Sequence, residues 1–332
     1  MNVVVQKYGG SSVENKEKLE NICKNIVSYK NKKNNLVVVV SAQGKCTDEL
    51  IKKAKEYSGT PSKRDLDFLL TTGEMQTVAL LSMMLNNLGY DTIGLTGEQA
   101  GIISDSTYGD ARIESIYIDN IVSYLKSGKI VVVTGFQAVD KLGNLTTLGR
   151  GGSDLSAVAL AAALKAKKCE IYTDVDGVFS ADPRIISRAK LLKSISYDEM
   201  LEAASLGSKV MHNRAVNTGK RYNIPIIVKN SQKKTKGSVI TDSFEEIPEE
   251  EPFENNKVKF ITKRENMTKI SIVGDMMMSN RELVYDIFDI AKKLEISIEM
   301  ISFSELSINI AVQAEKAVEF MNVLHDELFK EE

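Results

Sequence analysis

The sequence predicts an α/β protein: a largely parallel open sheet with helices on both faces, followed by a small ferredoxin-like module. Three observations carry this. The first part of the chain alternates short β-branched runs with amphipathic stretches, as a sheet buried on both faces requires. Glycine-rich loops follow the strand runs and precede helical ones. An acidic, proline-bearing stretch then sets off a last segment whose alternation at Leu306, Ile308, Ile310 and Val312 is that of a half-buried antiparallel strand. The 332 residues suit about two domains.

Taken in order, 2–6, 36–41, 92–95, 130–134, 170–173 and 224–228 read as buried strands. Leu19, Ile22, Cys23, Ile26 and Val27 recur at helical spacing between the first two, and a second strong helix follows Asp154 through Ser156 to Lys165. Thr72-Gly73-Glu74 is expected to open another apolar helix. The run EEIPEEEPFENN cannot bury apolar area and reads as an exposed linker. The expected division is therefore 1–244, an acidic linker at 245–256, and a module at 257–332. In that module, strands are expected at 257–262, 268–273, 296–302 and 306–312, with helices at 281–293 and 315–329. They make a complete ferredoxin-like unit if 257–262 fills the slot of the usual last strand.

Composition narrows the function. Lys plus Arg number 43 against 45 acidic residues, so no global field favours nucleic acid or a membrane surface. Three cysteines, widely spaced, form neither a disulfide framework nor a CxxC site, which implies a reducing compartment. The apolar runs at 36–40 and 157–164 fall short of the roughly 20 residues of a membrane span, and the expectation is a cytoplasmic protein. His212 and His325 fall in different expected domains and make no two-histidine metal site. The Met276–Met278 run is more simply core or a pliable contact surface.

Neither GxxxxGK[ST] nor GxGxxG occurs, which leaves three glycine corners: Lys7-Tyr8-Gly9-Gly10-Ser11-Ser12, Thr72-Gly73-Glu74, and Leu148 to Asp154. Any one of them is more simply a tight turn whose serine caps a helix. Three such corners at strand ends, with charged residues in each, point to a crevice for an anion. Lys7 would add a mobile positive charge, and Arg150 would grip a carboxylate with two parallel hydrogen bonds. Glu74 and Asp154, opposite an arginine, would match an ammonium group. The loop after the fifth strand, 171–184, gathers three carboxylates and an arginine.

At these residues the chain resembles the aspartate kinases, of the amino-acid kinase fold with a C-terminal ACT region. The resemblance rests on KYGGSSV at 7–13, VVVVSAQGKCTDEL at 37–50, TTGE at 71–74, GFQ at 135–137, TTLGRGGSD at 146–154, YTDVDGVFSADPR at 172–184 and SLGSKVMHNRA at 205–215. It implies transfer of the ATP γ-phosphoryl group to the side-chain carboxylate of L-aspartate, with Mg²⁺ carried by the nucleotide. Lys7 and Asp154 would be catalytic. Lys7, Tyr8, Gly9, Gly10 and Ser41 would surround the phosphoryl group, and Thr173, Asp174, Phe179, Arg184 and Lys209 would bind nucleotide. Thr47, Glu74, Arg150 and Ser153 would hold aspartate. Phe179 stands where relatives commonly carry tyrosine, Glu98 where tryptophan is usual, Asn213 where proline is usual, and Met75 follows the glutamate.

The resemblance also implies two ACT modules, and the chain has residues for one. That module resembles the effector-binding one of lysine-sensitive members, with Met276, Ser279, Glu299, Ser304 and Glu305 as candidate effector contacts. Met278 and Arg281 replace an expected histidine and glycine. ACT modules of this family pair side by side, so a homodimer or higher homo-oligomer is expected, with lysine as effector. The rivals are an amino-acid kinase acting on glutamate, N-acetylglutamate or a nucleoside monophosphate, and a catalytically idle amino-acid sensor.

Overall fold

The computed structural model describes residues 2–208, 210–243 and 258–329. They divide into two compact units, Met1–Thr262 and Lys263–Glu332. The acidic segment 245–256 lies outside the described residues.

In chain order the first unit contains β1 (Val3–Tyr8), α1 (Lys16–Lys30), β2 (Asn35–Val40), α2 (Cys46–Tyr57), α3 (Lys63–Asn87), β3 (Thr92–Leu95), β4 (Ile102–Ser104) and β5 (Ile113–Ile116). There follow α4 (Asp119–Lys126), β6 (Ile130–Thr134), β7 (Gln137–Val139), β8 (Leu145–Thr147), α5 (Gly152–Ala163), β9 (Lys168–Thr173), β10 (Ser194–Ile195), α6 (Tyr197–Ser205), α7 (Asn213–Tyr222), β11 (Ile226–Asn230) and β12 (Ser238–Ile240). Eight strands form one sheet in the order β10-β12-β11-β9-β1-β2-β6-β3. Every neighbouring pair is parallel except β11 with β12.

Period-two alternation divides the apolar side chains of the central strands between two cores. Val3, Val5, Val37, Val39, Val131 and Val133 face α5 and its Val158 and Leu160. Val4, Leu36, Val38, Val40, Ile130 and Val132 face the other way, onto Leu19, Ile22 and Ile26 of α1 and Leu81 and Leu85 of α3. Burial of each such side chain contributes roughly 1.5–3 kcal/mol, which is why strands this apolar occupy the sheet centre.

The helix expected to begin at Thr72 does not: Thr72, Gly73 and Glu74 lie in the middle of α3, which starts where Ser62 accepts the Asp65 N–H. Glycine is tolerated in the helix because of close packing, since a Cβ on Gly73 would lie 2.8 Å from Ala42 Cβ. α3 is also the one described helix long and apolar enough to cross a membrane; 50% of its most apolar window is buried inside the protein. A second sheet, β5-β4-β7-β8, was not anticipated, because strands of three or four residues carry too little periodicity to read.

The second unit contains β13 (Met267–Val273), α8 (Arg281–Lys293), β14 (Met300–Phe303), β15 (Ser307–Gln313) and α9 (Ala314–Leu328), with an antiparallel sheet ordered β13-β15-β14. Ile270, Ile287, Ile308, Ile310, Val312 and Phe320 form its core. The strand expected at 257–262 is absent among the described residues 258–262. Phe260, the large apolar side chain of this lysine-flanked stretch, packs against the core of the first unit, and the Ile261 N–H donates to the Ser180 carbonyl at 2.8 Å.

Candidate active site

Where parallel strands end, their loops leave a crevice lined by helix starts. β1 delivers Lys7 there and runs into a short 3-10 turn at Gly10–Ser12. Lys7 Nζ lies 2.6 Å from Oδ1 of Asp154, in the first turn of α5; the two side chains are only 12% and 14% exposed. Solvent therefore screens this pair less than a surface pair. A Cβ on Gly9 would stand 3.3 Å from Lys7 Nζ and press on the lysine. At Gly10 a Cβ would stand 2.9 Å from the Ala42 carbonyl oxygen. Backbone bonds close the rim: Ser41 N–H to the Tyr8 carbonyl (3.1 Å), Gly9 N–H to the Tyr172 carbonyl (3.3 Å) and Gly44 N–H to the Gly10 carbonyl (3.0 Å).

Glu74 reaches the same rim from α3. It is 3% exposed, its Oε1 accepts the Ala42 N–H at 3.1 Å, and its Oε2 has no partner. Burial pushes its carboxyl up to about 7. A buried acceptor without a donor is costly, and a ligand's ammonium group would supply one. Thr47, half-buried, lies in the first turn of α2 beside Cys46, which faces Gly73 of α3.

β8 leads into the Arg150 loop. Gly149 and Gly151 hold φ of +73° and +70°, and a Cβ on Gly151 would fall 2.3 Å from His212 Cβ. Arg150 is exposed, with no ion pair among the described residues. Ser153 is buried against Gly135, where a Cβ would come within 2.7 Å of Ser153 Cβ. Phe136, next to Gly135, holds a left-handed φ of +70°, a conformation that costs a non-glycine residue about 1–3 kcal/mol. Its N–H donates to Ser156 Oγ at 3.1 Å and its carbonyl accepts the Leu148 N–H at 2.8 Å, which ties the end of β6 to the Arg150 loop. Nothing in the sequence marks Phe136 for this, because a bulky residue between two strand ends gives no signal of positive φ.

At the end of β9, Thr173 Oγ1 donates to Asp174 Oδ1 at 3.0 Å, and Asn230 Nδ2 donates to Asp176 Oδ1 at 2.8 Å. Phe179 is half-buried and bridges to Leu191, while the exposed Arg184 forks onto Asp182 with bonds of 3.0 and 2.8 Å. Lys209 lies outside the described residues. Beneath the rim, Glu170 is fully buried and accepts from Lys229 (2.8 Å), Lys168 (2.9 Å), Tyr29 (2.8 Å), Tyr172 (3.0 Å) and Gln6 (3.1 Å). Burial alone would raise its carboxyl; the two lysines hold it at about 2.

In the second unit, Ser279 Oγ donates to the Met276 carbonyl at 3.1 Å and the Met277 N–H to the Glu305 carbonyl at 3.0 Å, with Ser304 beside them. Glu299 is not brought to this group. It sits at the opposite end of β14, paired with Arg264.

The amino acid kinase family model matches residues 2–230, and an ACT domain model matches 270–328. The chain is 44% identical to Aspartokinase 2 of Bacillus subtilis over 331 residues, covering 98% of this chain and 79% of that one. Over 274 residues, 82% of this chain, it is 49% identical to the aspartokinase of Bacillus sp. strain MGA3, and the match spans 65% of that relative's length. Among solved structures, Synechocystis aspartate kinase is 35% identical with a TM-score of 0.66, covering 97% of this chain and 54% of that one. The fold is shared with E. coli aspartokinase III in complex with lysine and aspartate: TM-score 0.78, 23% identity, 97% of this chain and 83% of that one.

Proposed function

The chain belongs to the amino acid kinase family, among the aspartokinases, and on that premise we propose that it transfers the γ-phosphoryl group of ATP to the side-chain carboxylate of L-aspartate, giving 4-phospho-L-aspartate and ADP. The observation that carries the reading is the Lys7–Asp154 pair at 2.6 Å, set at the glycine rim with the half-satisfied carboxylate of Glu74 reaching that rim from α3. The acceptor carboxylate, with an ordinary pKa of about 3.9, is already ionised at pH 7 and needs no general base. Two anions must then approach, so the chain's task is alignment and charge neutralisation. Asp154 holds the Lys7 ammonium at the rim, where it faces the charge that develops on the phosphoryl oxygens. The amides of the 9–12 turn add donors there.

Glu74 receives the acceptor's ammonium group, Arg150 grips its α-carboxylate, and Thr47 and Ser153 line the remaining side. Tyr8, Gly9, Gly10, Ser41, Thr173, Asp174, Phe179, Arg184 and Lys209 bind the nucleotide, which enters as its Mg²⁺ complex. An ADP-release assay with aspartate, glutamate, N-acetylglutamate and a nucleoside monophosphate tests the assignment. It predicts aspartate-dependent ADP, and ADP release with none of them would support the idle-sensor alternative.

The ACT unit extends the proposal to regulation. Lysine is its effector, bound near Met276, Ser279, Ser304 and Glu305, and paired ACT units make a homodimer or higher homo-oligomer. The lysine complex of E. coli aspartokinase III and the unpaired edges of β13 and β14 among the described residues support this. Inhibition by millimolar lysine, with threonine as control, and sedimentation at micromolar concentration test the two parts.

A further inference from the structure

We propose that Asp67 is the positioning residue that sets the Arg150 loop in register with Glu74, and so governs selection of the acceptor; the inference rests on the assignment of Arg150 to the acceptor's α-carboxylate and Glu74 to its ammonium group. Asp67 and Glu74 lie seven residues apart on α3, two turns along one face. Asp67 is 1% exposed, and its three hydrogen bonds go to two segments. Oδ2 accepts the N–H of Thr147 at 2.8 Å and of Gly109 at 2.9 Å, and Oδ1 accepts the Thr147 hydroxyl at 2.7 Å. Thr147 ends β8, three residues before Arg150.

The same stretch is pinned from the other side. Arg214 of α7 donates through Nη1 to the Leu148 carbonyl (2.6 Å) and Asp110 Oδ1 (2.9 Å), and through Nη2 to the Ala111 carbonyl (2.7 Å). Gly149 packs so closely on this brace that a Cβ would lie 2.6 Å from Asp110 Oδ1. Among the described residues Arg150 has no side-chain partner of its own, so its loop takes its position from these bonds. One rigid helix therefore carries the ammonium-binding carboxylate and also the carboxylate that fixes the guanidinium loop. The position of the Arg150 loop relative to Glu74 is thus set from α3, through Asp67. Charge-assisted bonds to backbone N–H groups are the kind whose loss shifts a loop: an amide in place of the carboxylate leaves one uncharged oxygen for the two N–H groups and turns an NH2 to the Thr147 hydroxyl, which must then reverse from donor to acceptor.

The test is steady-state kinetics of the full chain on Asp67→Asn, with aspartate, glutamate and ATP varied in turn. The expected result is a KM for aspartate raised about tenfold, a KM for ATP within about twofold of the parent, and a reduced preference for aspartate over glutamate. Equal changes in both KM values, or none in a folded variant, overturn the inference. If Asp67→Asn does not fold, Thr147→Val removes only the hydroxyl bond and is expected to raise the aspartate KM about threefold, while Thr147→Ser restores it. An unchanged aspartate KM in Thr147→Val is equally fatal. A parent enzyme that phosphorylates no aspartate defeats the functional assignment itself, and the inference with it, before any variant is compared.

Discussion

Acceptor binding should depend on pH through Glu74, in a window that an exposed glutamate never reaches. Its carboxyl is lifted from 4.5 to about 7 because it is buried and receives only the Ala42 N–H at 3.1 Å. About one-tenth of the carboxyl is then ionised at pH 6 and about nine-tenths at pH 8. Aspartate does not change charge over this range, so if its ammonium needs an ionised Glu74, the apparent KM for aspartate falls about tenfold from pH 6 to pH 8 while that for ATP stays flat. Stability runs the opposite way. The folded carboxyl titrates above the unfolded one, so its stabilising effect is complete below pH 4.5, declines between 4.5 and about 7, and is absent above. Over that interval the loss is about 3 kcal/mol at about 1.4 kcal/mol per pKa unit. Glu74→Gln should therefore match the parent's stability below pH 4.5, exceed it by about 3 kcal/mol at pH 8, and lose the pH dependence of the aspartate KM. Initial rates at saturating MgATP across pH 6–8, with urea unfolding of both proteins at pH 4.5 and 8, measure both effects. A parent KM for aspartate that does not move between pH 6 and 8 would refute the reasoning, as would a Gln variant that keeps the parent's pH profile.

Lys7→Ala should still fold, less stable than the parent because Asp154 loses its partner, and lose about a hundredfold or more in kcat, the usual cost of removing an electrostatic donor to the transition state; near-parental kcat in a folded variant contradicts the role. Arg150→Lys should raise the KM for aspartate about tenfold and leave that for ATP nearly unchanged, since a point charge replaces a two-pronged grip; equal effects would move Arg150 to the phosphate side. Glu170 titrates at about 2 in the folded chain, so it contributes about 3 kcal/mol above pH 4.5 that is lost as pH falls toward 2. Glu170→Gln, which strands Lys168 and Lys229, should cost about 3–5 kcal/mol at pH 7 by urea denaturation, and a cost below 1 kcal/mol would show that the network is slack.

The central sheet was legible because β1, β2 and β6 carry runs of valine, each followed by a glycine-bearing loop. Lys7, Glu74 and Asp154 stood out because each lies beside or near glycine; singly each is as readily a turn or helix-cap residue, and only the three corners together pointed to a site. Glu74 was assigned to a helix start because Thr72-Gly73 looks like a boundary; the glycine instead serves the contact with Ala42, a tertiary fact that no local pattern encodes. Asp67 escaped notice for a related reason. Its donors, Gly109 and Thr147, lie 42 and 80 residues away and sit on strands and loops too short to read. The segment 258–262 misled because Val258 and Phe260 alternate with lysine like a strand, whereas Phe260 packs on the core of the first unit and Val258 and Ile261 stay exposed.

The most direct test of the account is chemical trapping of the product. Incubated with MgATP, L-aspartate and hydroxylamine, the protein is predicted to form aspartyl β-hydroxamate in step with ADP, one for one, because an acyl phosphate on the side-chain carboxylate is the species released. ADP formed without hydroxamate, or hydroxamate formed as readily from glutamate or N-acetylglutamate as from aspartate, would contradict it.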